Sequence, residues 1–192
     1  MTAARYSIRK ATWDDLDAML RMQARSMRAL GQGFYGTETI ESALRHIGTM
    51  DPEVIDEGNF YVAVAADGRI IGSGGWSRRV PGYDRVQAKS ASKSQLRQGS
   101  AVVRSVFVNP DWARQGIATS IMKQAETTVV DAGTPEVVLT ATLSGVPLYR
   151  ALGYRALRPK RIRFPDGIVF DAVEMSKKLS TAQNRRGRKD VA

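Results

Sequence analysis

Two hydrophobic periods alternate along the chain, and the changes between them mark its elements. Apolar residues spaced three and four apart predict amphipathic helices, whereas short β-branched runs and two-residue alternation predict strands. The predicted strands are Tyr6–Lys10, Asn59–Ala65, Arg69–Trp76, Val102–Val108, Val137–Thr140, Arg155–Phe164 and Ile168–Met175. The predicted helices are Trp13–Leu30, Thr37–Ile47, Arg114–Ala132 and Ser144–Leu152. The order β-α-α-β-β-β-α-β-α-β-β predicts one domain with a mixed α/β sheet.

Two stretches depart from these regular patterns. The third predicted strand contains Gly72, Gly74 and Gly75, which predict a bulge, or another chain or a ligand packed closely against it. Residues 77–99 consist mostly of Ser, Arg, Lys and Gln, with few large apolar side chains. A loop of that length in a compact domain is either mobile or functional.

Composition excludes several classes of site. The chain has no cysteine, which excludes disulfides, thiolate zinc sites and a cysteine nucleophile and favours a reducing compartment. The one histidine, His46, is predicted on an exposed face of the second helix, and no metal site is predicted. No apolar run is long enough for a signal peptide or a membrane span, so a cytoplasmic protein that contacts no membrane is predicted.

Half of the formal net charge of +10 lies at the end of the chain, since six basic residues and one acid lie between Ser176 and Ala192. Almost no apolar side chain follows Leu179. Such a segment cannot offset the entropy of ordering, so residues 177–192 are predicted to be a flexible basic tail on a domain of residues 1–176. A solubilising role and a weak contact with RNA or an acidic partner are both open for this tail.

The segment VFVNPDWARQGIAT, residues 106–119, carries the first candidate chemistry. A buried strand ends before a proline, and a helix begins around Gly116. The start of a helix offers unpaired backbone N–H groups and the positive end of its dipole, which together favour phosphate. Glycine permits close approach of a ligand, and Arg114 adds a positive charge. A purely structural turn explains the same residues equally well.

This segment resembles the signature of the GNAT superfamily of N-acetyltransferases, written as Arg or Gln, two variable residues, Gly, one variable residue, and Gly or Ala. Residues 113–118, ARQGIA, fill it except at the first position, where this chain has Ala113. That departure removes a side-chain contact but leaves the backbone amides. The resemblance in element order covers nearly the whole chain. It implies a sheet splayed near its middle, with acetyl-coenzyme A entering between the strands that end at Val108 and Thr140.

A second block, LYRALGY at residues 148–154, is similar to the tyrosine-bearing helix of the superfamily. By this resemblance Tyr149 is the general acid that protonates the departing coenzyme A thiolate, a step that a positioned proton donor favours. Taken alone, the pattern favours a core aromatic whose hydroxyl reaches the surface.

The same resemblance implies a set of coenzyme-binding residues. Backbone groups of the strand would pair with the pantetheine amides, and the turn and helix start would hold the pyrophosphate. The implied residues are Val106, Phe107, Val108, Arg114, Gln115, Gly116, Ile117, Ala118 and Thr119. Simple core packing of Val106 and Val108 is compatible with this role. Thr142 stands where many relatives have a coenzyme-binding asparagine, so the resemblance does not extend to that contact.

The general base is not specified by the sequence. The strand Val102–Val108 contains no carboxylate, and Val137 stands where some relatives carry a glutamate. Glu136 is one residue away and therefore points to the other face of its strand. The remaining candidates are Glu38, Asp56, Glu57, Asp84 and a water relay.

The resemblance therefore implies an N-acetyltransferase that moves an acetyl group from acetyl-CoA to a primary amine, of a small molecule or a protein, without a metal. Three alternatives stay open. The domain could bind acetyl-CoA as a sensor without turnover, it could be a basic nucleic-acid-binding module, which is less favoured, or it could act mainly through a partner protein or as a homodimer.

Overall fold

The described part of this computed structural model, residues 5–79, 100–134 and 136–179, forms a seven-stranded sheet with helices on both faces. The strands are β1 (Tyr6–Lys10), β2 (Phe60–Ala65), β3 (Ile70–Ser77), β4 (Ala101–Val108), β5 (Glu136–Thr142), β6 (Arg155–Arg163) and β7 (Val169–Lys178). The helices are α1 (Leu16–Gly31), α2 (Thr37–His46), α3 (Ile117–Asp131) and α4 (Val146–Ala151). The predicted mixed α/β fold is confirmed.

The sheet has one parallel contact, at its centre. Its strand order is β1-β2-β3-β4-β5-β7-β6, and every neighbouring pair is antiparallel except β4 and β5. These two strands pair only at Ala101 with Val137 and at Val102 with Val138. Beyond these residues their edges separate, so the sheet opens into a cleft between the two strands.

Helices cover both faces because the central strands are apolar on both sides. On β2, Val62 belongs to a buried cluster with Met19 of α1, whereas its neighbour Ala63 belongs to a cluster with Ile117 and Ile121 of α3. Successive residues of a strand point to opposite faces, so α1 and α3 pack on opposite sides of the sheet.

Of the two alternatives predicted for the glycines of β3, close packing is found at Gly72. The pairing of β3 with β4 also shifts register between Ser73 and Gly75, but the extra residue lies on β4, opposite the glycines. A Cβ atom at Gly72 would lie 2.7 Å from Cγ2 of Ile117, so the close neighbour is helix α3. Glycine at this position allows the start of α3 to pack directly on the sheet.

Several predicted boundaries need correction. Helix α3 begins at Ile117 rather than near Arg114, because Arg114 and Gly116 have φ angles of 64° and 81° and cannot continue a helix. Strand β7 continues through Lys178 because residues 176–178 pair with β5, so the first two residues of the predicted tail belong to the sheet. Residues 180–192 of that tail, and all but 77–79 of the predicted 77–99 loop, lie outside the described residues.

Candidate active site

The cleft between β4 and β5 continues into a cavity of about 1140 Å³. That volume is slightly above the range of about 300–1,000 Å³ for small-molecule sites. Residues 103–108 of β4 line it along one side, and the start of α3, the end of β5 and helix α4 line it on others. The chain segments after α1 and α2 and the turn between β6 and β7 also contribute. An extended ligand could therefore lie along β4 while a second molecule enters from the α1 and α2 side.

A bulge in β4 shapes the floor of this cavity. Gly75 pairs with Arg104 and Ser73 pairs with Phe107, so β4 has one more residue than β3 between these pairs. Ser105, which lies in this bulge, has a φ of 52°, a left-handed conformation that is uncommon outside glycine. Among the described residues, β5 pairs with β4 only as far as Val102, so β4 continues beyond that pairing as an edge that faces the cleft. A strand edge of this kind can pair with amide or carbonyl groups of a ligand.

A buried polar network holds the bulge in place. The Gln23 side chain, which is fully buried, donates to Ser73 Oγ at 2.9 Å and accepts from Thr49 Oγ1 at 2.6 Å. Ser73 Oγ donates to the Ser105 carbonyl at 3.2 Å, and Ser105 Oγ donates to the Thr49 carbonyl at 2.7 Å. Satisfied buried networks specify one arrangement, so this chain of bonds fixes the strained residue against α1 and the segment after α2.

The turn from β4 to α3 has the local features that favour an anion. Gly116, with a φ of 81°, is the N-cap, and the first helical bond runs from Ser120 N–H to the Gly116 carbonyl. The N–H groups of residues 117–119 are thus left without helical partners at the positive end of the α3 dipole. Arg114, an exposed residue just before this helix start, lines the cavity as well and adds a positive charge. This is the arrangement that binds a phosphate or diphosphate.

Arg25 of α1 anchors the same turn from outside. Its guanidinium donates two hydrogen bonds to the Asp111 carboxylate, at 2.9 and 3.0 Å, and one to Asn109 Oδ1 at 2.9 Å. Asn109 Oδ1 also accepts from the Asp111 N–H at 3.1 Å, which closes the proline turn. A bidentate contact of this kind fixes orientation, although its exposure limits its contribution to stability.

Tyr149 of α4 lies at the far side of the cleft. It lines the cavity, yet the residue is only 8% exposed, and burial raises the pKa of its hydroxyl above the ordinary tyrosine value. Its ring meets the Tyr154 ring edge-on, with centroids 5.7 Å apart. The phenol is therefore protonated at neutral pH and held in one orientation, as a proton donor requires.

Charged residues lie against Tyr154, the ring partner of Tyr149, on the side away from the cavity. Lys177 Nζ donates to Glu126 Oε2 at 2.7 Å and lies 5.5 Å from the centroid of the Tyr154 ring. Burial raises the pKa of Tyr154, and the neighbouring Glu126 carboxylate raises it further. The aromatic pair therefore packs as neutral rings between α3, α4 and β7.

Tyr35 joins the two sides of the cavity mouth. Its hydroxyl accepts from the Leu143 N–H at 2.6 Å, just after β5, and donates to the Asp171 carbonyl of β7 at 2.8 Å. The ring stacks on Phe170 at a centroid distance of 4.4 Å. Burial raises the pKa of Tyr35 to about 12, so the hydroxyl keeps its proton over the physiological range.

The structure brings most of the predicted site residues together. The cavity is lined by Val106, Phe107, Val108, Arg114, Gly116, Ile117, Ala118, Thr119 and Tyr149. Gln115 is exposed and does not line it. Thr142 lines it as well, but its Oγ1 lies 3.1 Å from Ser144 Oγ and accepts from the Gly145 N–H at 3.2 Å, so this side chain closes the turn before α4.

The predicted base candidates are placed differently. None of the three described ones, Glu38, Asp56 and Glu57, lines the cavity. Glu38 is exposed on α2, Asp56 accepts from the Trp13 indole at 2.7 Å, and Glu57 accepts from Ser77 Oγ at 2.7 Å. Asp84 lies outside the described residues.

Sequence reasoning missed two proton-accepting side chains on the cavity wall, Asp51 and His46. Asp51 caps a 3₁₀ turn, accepting from the Glu53 N–H at 3.4 Å, and its Oδ2 lies 4.0 Å from the Arg104 guanidinium. His46 is the last residue of α2 and Asp51 follows the helix, and only tertiary contacts bring them to β4. In the sequence, the signal that could have drawn attention to His46 is that the chain has one histidine.

The described part of the chain has neither a membrane-spanning helix nor a cluster of metal-ligating side chains. Within residues 5–79, 100–134 and 136–179, no helix is long and apolar enough to cross a membrane. Among those same residues, no group of three or more His, Cys, Asp or Glu side chains is arranged to hold a metal ion.

Comparisons with known proteins agree with this architecture. Among solved structures, the PaiA N-acetyltransferase from Thermoplasma acidophilum in complex with coenzyme A is 19% identical, with a TM-score of 0.64 over 91% of this chain and 99% of that one. A GCN5-related N-acetyltransferase from Rhodopseudomonas palustris is 16% identical, with a TM-score of 0.67 over 93% and 99%. The ribosomal-protein-S18-alanine N-acetyltransferase from Escherichia coli is 15% identical, with a TM-score of 0.56 over 92% and 95%. At these identities the likeness shows the fold.

A search of curated proteins finds no match. The family model described as "Acetyltransferase (GNAT) domain" matches residues 35–179, which is well over half of the chain. That range contains β2 to β7, the α3 turn, Tyr149 and the whole opening between β4 and β5. The chain therefore belongs to the GNAT family of acyltransferases.

Proposed function

We propose that this protein is an N-acetyltransferase that transfers the acetyl group of acetyl-CoA to a primary amine. The observation that carries the proposal is that one cavity contains the three parts this reaction needs. These are the start of α3 with Gly116, the open edge of bulged β4, and the protonated phenol of Tyr149.

The cavity fits the co-substrate along its length. The unpaired N–H groups at the start of α3, with Arg114 beside them, suit the pyrophosphate. The open edge of β4 suits the two amides of the pantetheine arm, which would extend the sheet as an added strand. The coenzyme A found with the PaiA N-acetyltransferase supports the same choice of ligand.

Acetyl-CoA supplies a thioester whose carbonyl carbon accepts the amine nitrogen as the carbon–sulfur bond breaks. The backbone around the Ser105 bulge offers N–H groups that stabilise negative charge on the carbonyl oxygen. Tyr149 donates a proton to the leaving sulfur, and its buried ring keeps the donor fixed and protonated. The side of the cavity near α1 and α2 receives the amine.

The test is a thiol-release assay with acetyl-CoA and a panel of primary amines, comparing the wild type with Tyr149→Phe. Loss of a general acid costs about 10²–10⁴-fold in rate, so we expect kcat to fall by about 100-fold or more while the KM for acetyl-CoA changes little. The phenylalanine keeps the ring contacts with Tyr154, so the fold is preserved.

The matched control is Tyr61→Phe. Tyr61 is also buried, but its hydroxyl contacts Thr128 Oγ1 at 3.2 Å and does not line the cavity. Its kcat should equal that of the wild type. Equal rates for Tyr149→Phe and the wild type would remove Tyr149 from the mechanism, and acetyl-CoA binding without turnover of any amine would favour a sensor.

A further inference from the structure

The single histidine of the chain lies on the wall of the cavity. His46 ends α2, and although the residue is exposed overall, its side chain is only 23% exposed. The imidazole ring stacks on Phe164, with ring centres 5.6 Å apart and 27° between the planes. Phe164 itself is buried and lines the same cavity, so the ring is packed against a fixed surface.

Asp166, in the turn between β6 and β7, determines which ring nitrogen carries the proton. Its Oδ2 lies 3.0 Å from His46 Nε2 and accepts from Ser42 Oγ at 2.6 Å. The hydrogen bond from Ser42, with those from the Ile168 N–H and from His46, lowers the pKa of Asp166, so the carboxylate is ionised at neutral pH. An ionised carboxylate only accepts, so Nε2 must donate. In the neutral ring the lone pair is then on Nδ1.

The other charged groups near this pair are cations. Arg45, on α2 itself, places its guanidinium 3.9 Å from Asp166 Oδ2. From β6, exposed Arg163 lines the cavity beside Phe164. Within the described part of the chain, Asp166 is thus the one carboxylate hydrogen-bonded to the imidazole, and Nδ1 makes no hydrogen bond.

His46 lies close to the bulge in β4. The Thr49 carbonyl accepts a hydrogen bond from Ser105 Oγ at 2.7 Å, so the segment after α2 touches the bulge directly. Thr49 is the third residue after His46, and three steps of fully extended chain span at most about 11 Å. Both ends of this segment line the same cavity.

We propose that His46, oriented by Asp166, is the general base that takes a proton from the acceptor ammonium through Nδ1. This inference rests on the proposed acetyltransferase function. The acceptor nitrogen loses two protons when the amide forms. His46 accepts one of these protons and releases it to solvent from its partly exposed side. In the overall reaction the other proton replaces the one that Tyr149 gives to the sulfur. This dyad of His46 and Asp166 matters for alkylamines, which are almost fully protonated at neutral pH.

The kinetic test uses His46→Gln in the full-length protein with the fastest amine of the panel. A glutamine amide can still donate to Asp166 but cannot take up a proton, so positioning is kept and the base is lost. We expect kcat to fall by about 100-fold near neutral pH with little change in KM, and the acid limb of the rate profile to disappear. Glu38→Gln, on the same helix but away from the cavity, is the matched control and should behave as the wild type.

Nuclear magnetic resonance provides a readout independent of turnover, because one histidine gives one set of imidazole nitrogen signals. We expect the neutral ring to carry its proton on Nε2 in the wild type and in Glu38→Gln, and to lose that preference in Asp166→Ala. A proton on Nδ1 would overturn the proposal.

The two proposals fail in different ways. If the wild type turns over an amine and His46→Gln is equally fast with an unchanged pH profile, the base is overturned while the acetyltransferase stands. If the folded wild type binds no acetyl-CoA in a calorimetric titration, the proposed function itself fails, whatever the histidine signals show.

Discussion

The contact between Gly72 and helix α3 allows a quantitative prediction for Gly72→Ala. The added methyl group would lie 2.7 Å from Ile117 Cγ2, 3.1 Å from Ile121 Cδ1 and 3.4 Å from the Phe107 carbonyl oxygen. Both isoleucines are at most 1% exposed, so neither can swing into solvent. Overpacking of a close-packed core costs about 1–3 kcal/mol, and we expect the free energy of unfolding to fall by that amount. Since Ile117 begins α3, acetyl-CoA binding should weaken as well.

Urea unfolding and calorimetric titration measure the two effects. The control is Gly36→Ala, because Gly36 has a φ of −67° and open space around its Cβ position, and its unfolding free energy should change by about 0.5 kcal/mol or less. Ile117→Ala removes the clashing methyl group, so the double variant should be more stable than the sum of the single effects predicts, by about 1 kcal/mol. An unaltered stability of Gly72→Ala, or strictly additive effects, would refute the packing argument.

Two further variants test particular hydrogen bonds by their effect on stability. Arg9 lowers the pKa of buried Asp15 from 3.8 to about 2 through hydrogen bonds of 2.7 Å. Because the pKa is lower in the folded state, the ionised carboxylate stabilises the protein at pH values above its unfolded-state pKa, so Asp15→Asn should lower the free energy of unfolding by about 1–2 kcal/mol near pH 7. The urea unfolding curves of the two proteins should converge as the pH falls from about 5 to 2. Tyr35→Phe leaves the Leu143 N–H and the Asp171 carbonyl without this partner, so the free energy of unfolding should drop by about 1–3 kcal/mol, whereas equal stability would show that water replaces the hydroxyl.

The sequence predicted the parts of the site that are built from consecutive residues. The start of α3 depends on Gly116 and the residues beside it, so a local motif was enough to find it. Tyr149 was singled out through the resemblance of LYRALGY to the tyrosine-bearing helix of the superfamily, whereas its local pattern alone favoured a core aromatic. The order of helices and strands along the chain, and from it the mixed sheet, followed from hydrophobic periodicity. The start of α3 and the end of β7 were predicted wrongly, because neither left-handed Arg114 nor the pairing of residues 176–178 with β5 can be inferred from periodicity.

The remaining parts depend on contacts between distant residues. The bulge at Ser105 is held by Gln23 and Thr49, which lie 82 and 56 residues earlier in the chain. The dyad joins His46 to Asp166 across 120 residues. No periodicity links such positions, and a histidine at the end of an amphipathic helix fits a solvated face equally well. Of the carboxylate base candidates, the three described ones, Glu38, Asp56 and Glu57, do not line the cavity, and the sequence pattern could not show this for the same reason.

The central claim is that the turn before α3 binds acetyl-CoA, and one calorimetric titration tests it most directly. The wild type is compared with Gly116→Trp and with Gly133→Trp, a matched control with similar backbone geometry. Both glycines have positive φ, 81° and 71°, with open space at Cβ, but only Gly116 lines the cavity. We predict that the wild type and Gly133→Trp bind alike and that Gly116→Trp binds at least about tenfold more weakly, a loss of about 1.4 kcal/mol. Absence of binding by the folded wild type, or equal affinity of all three proteins, would contradict the account.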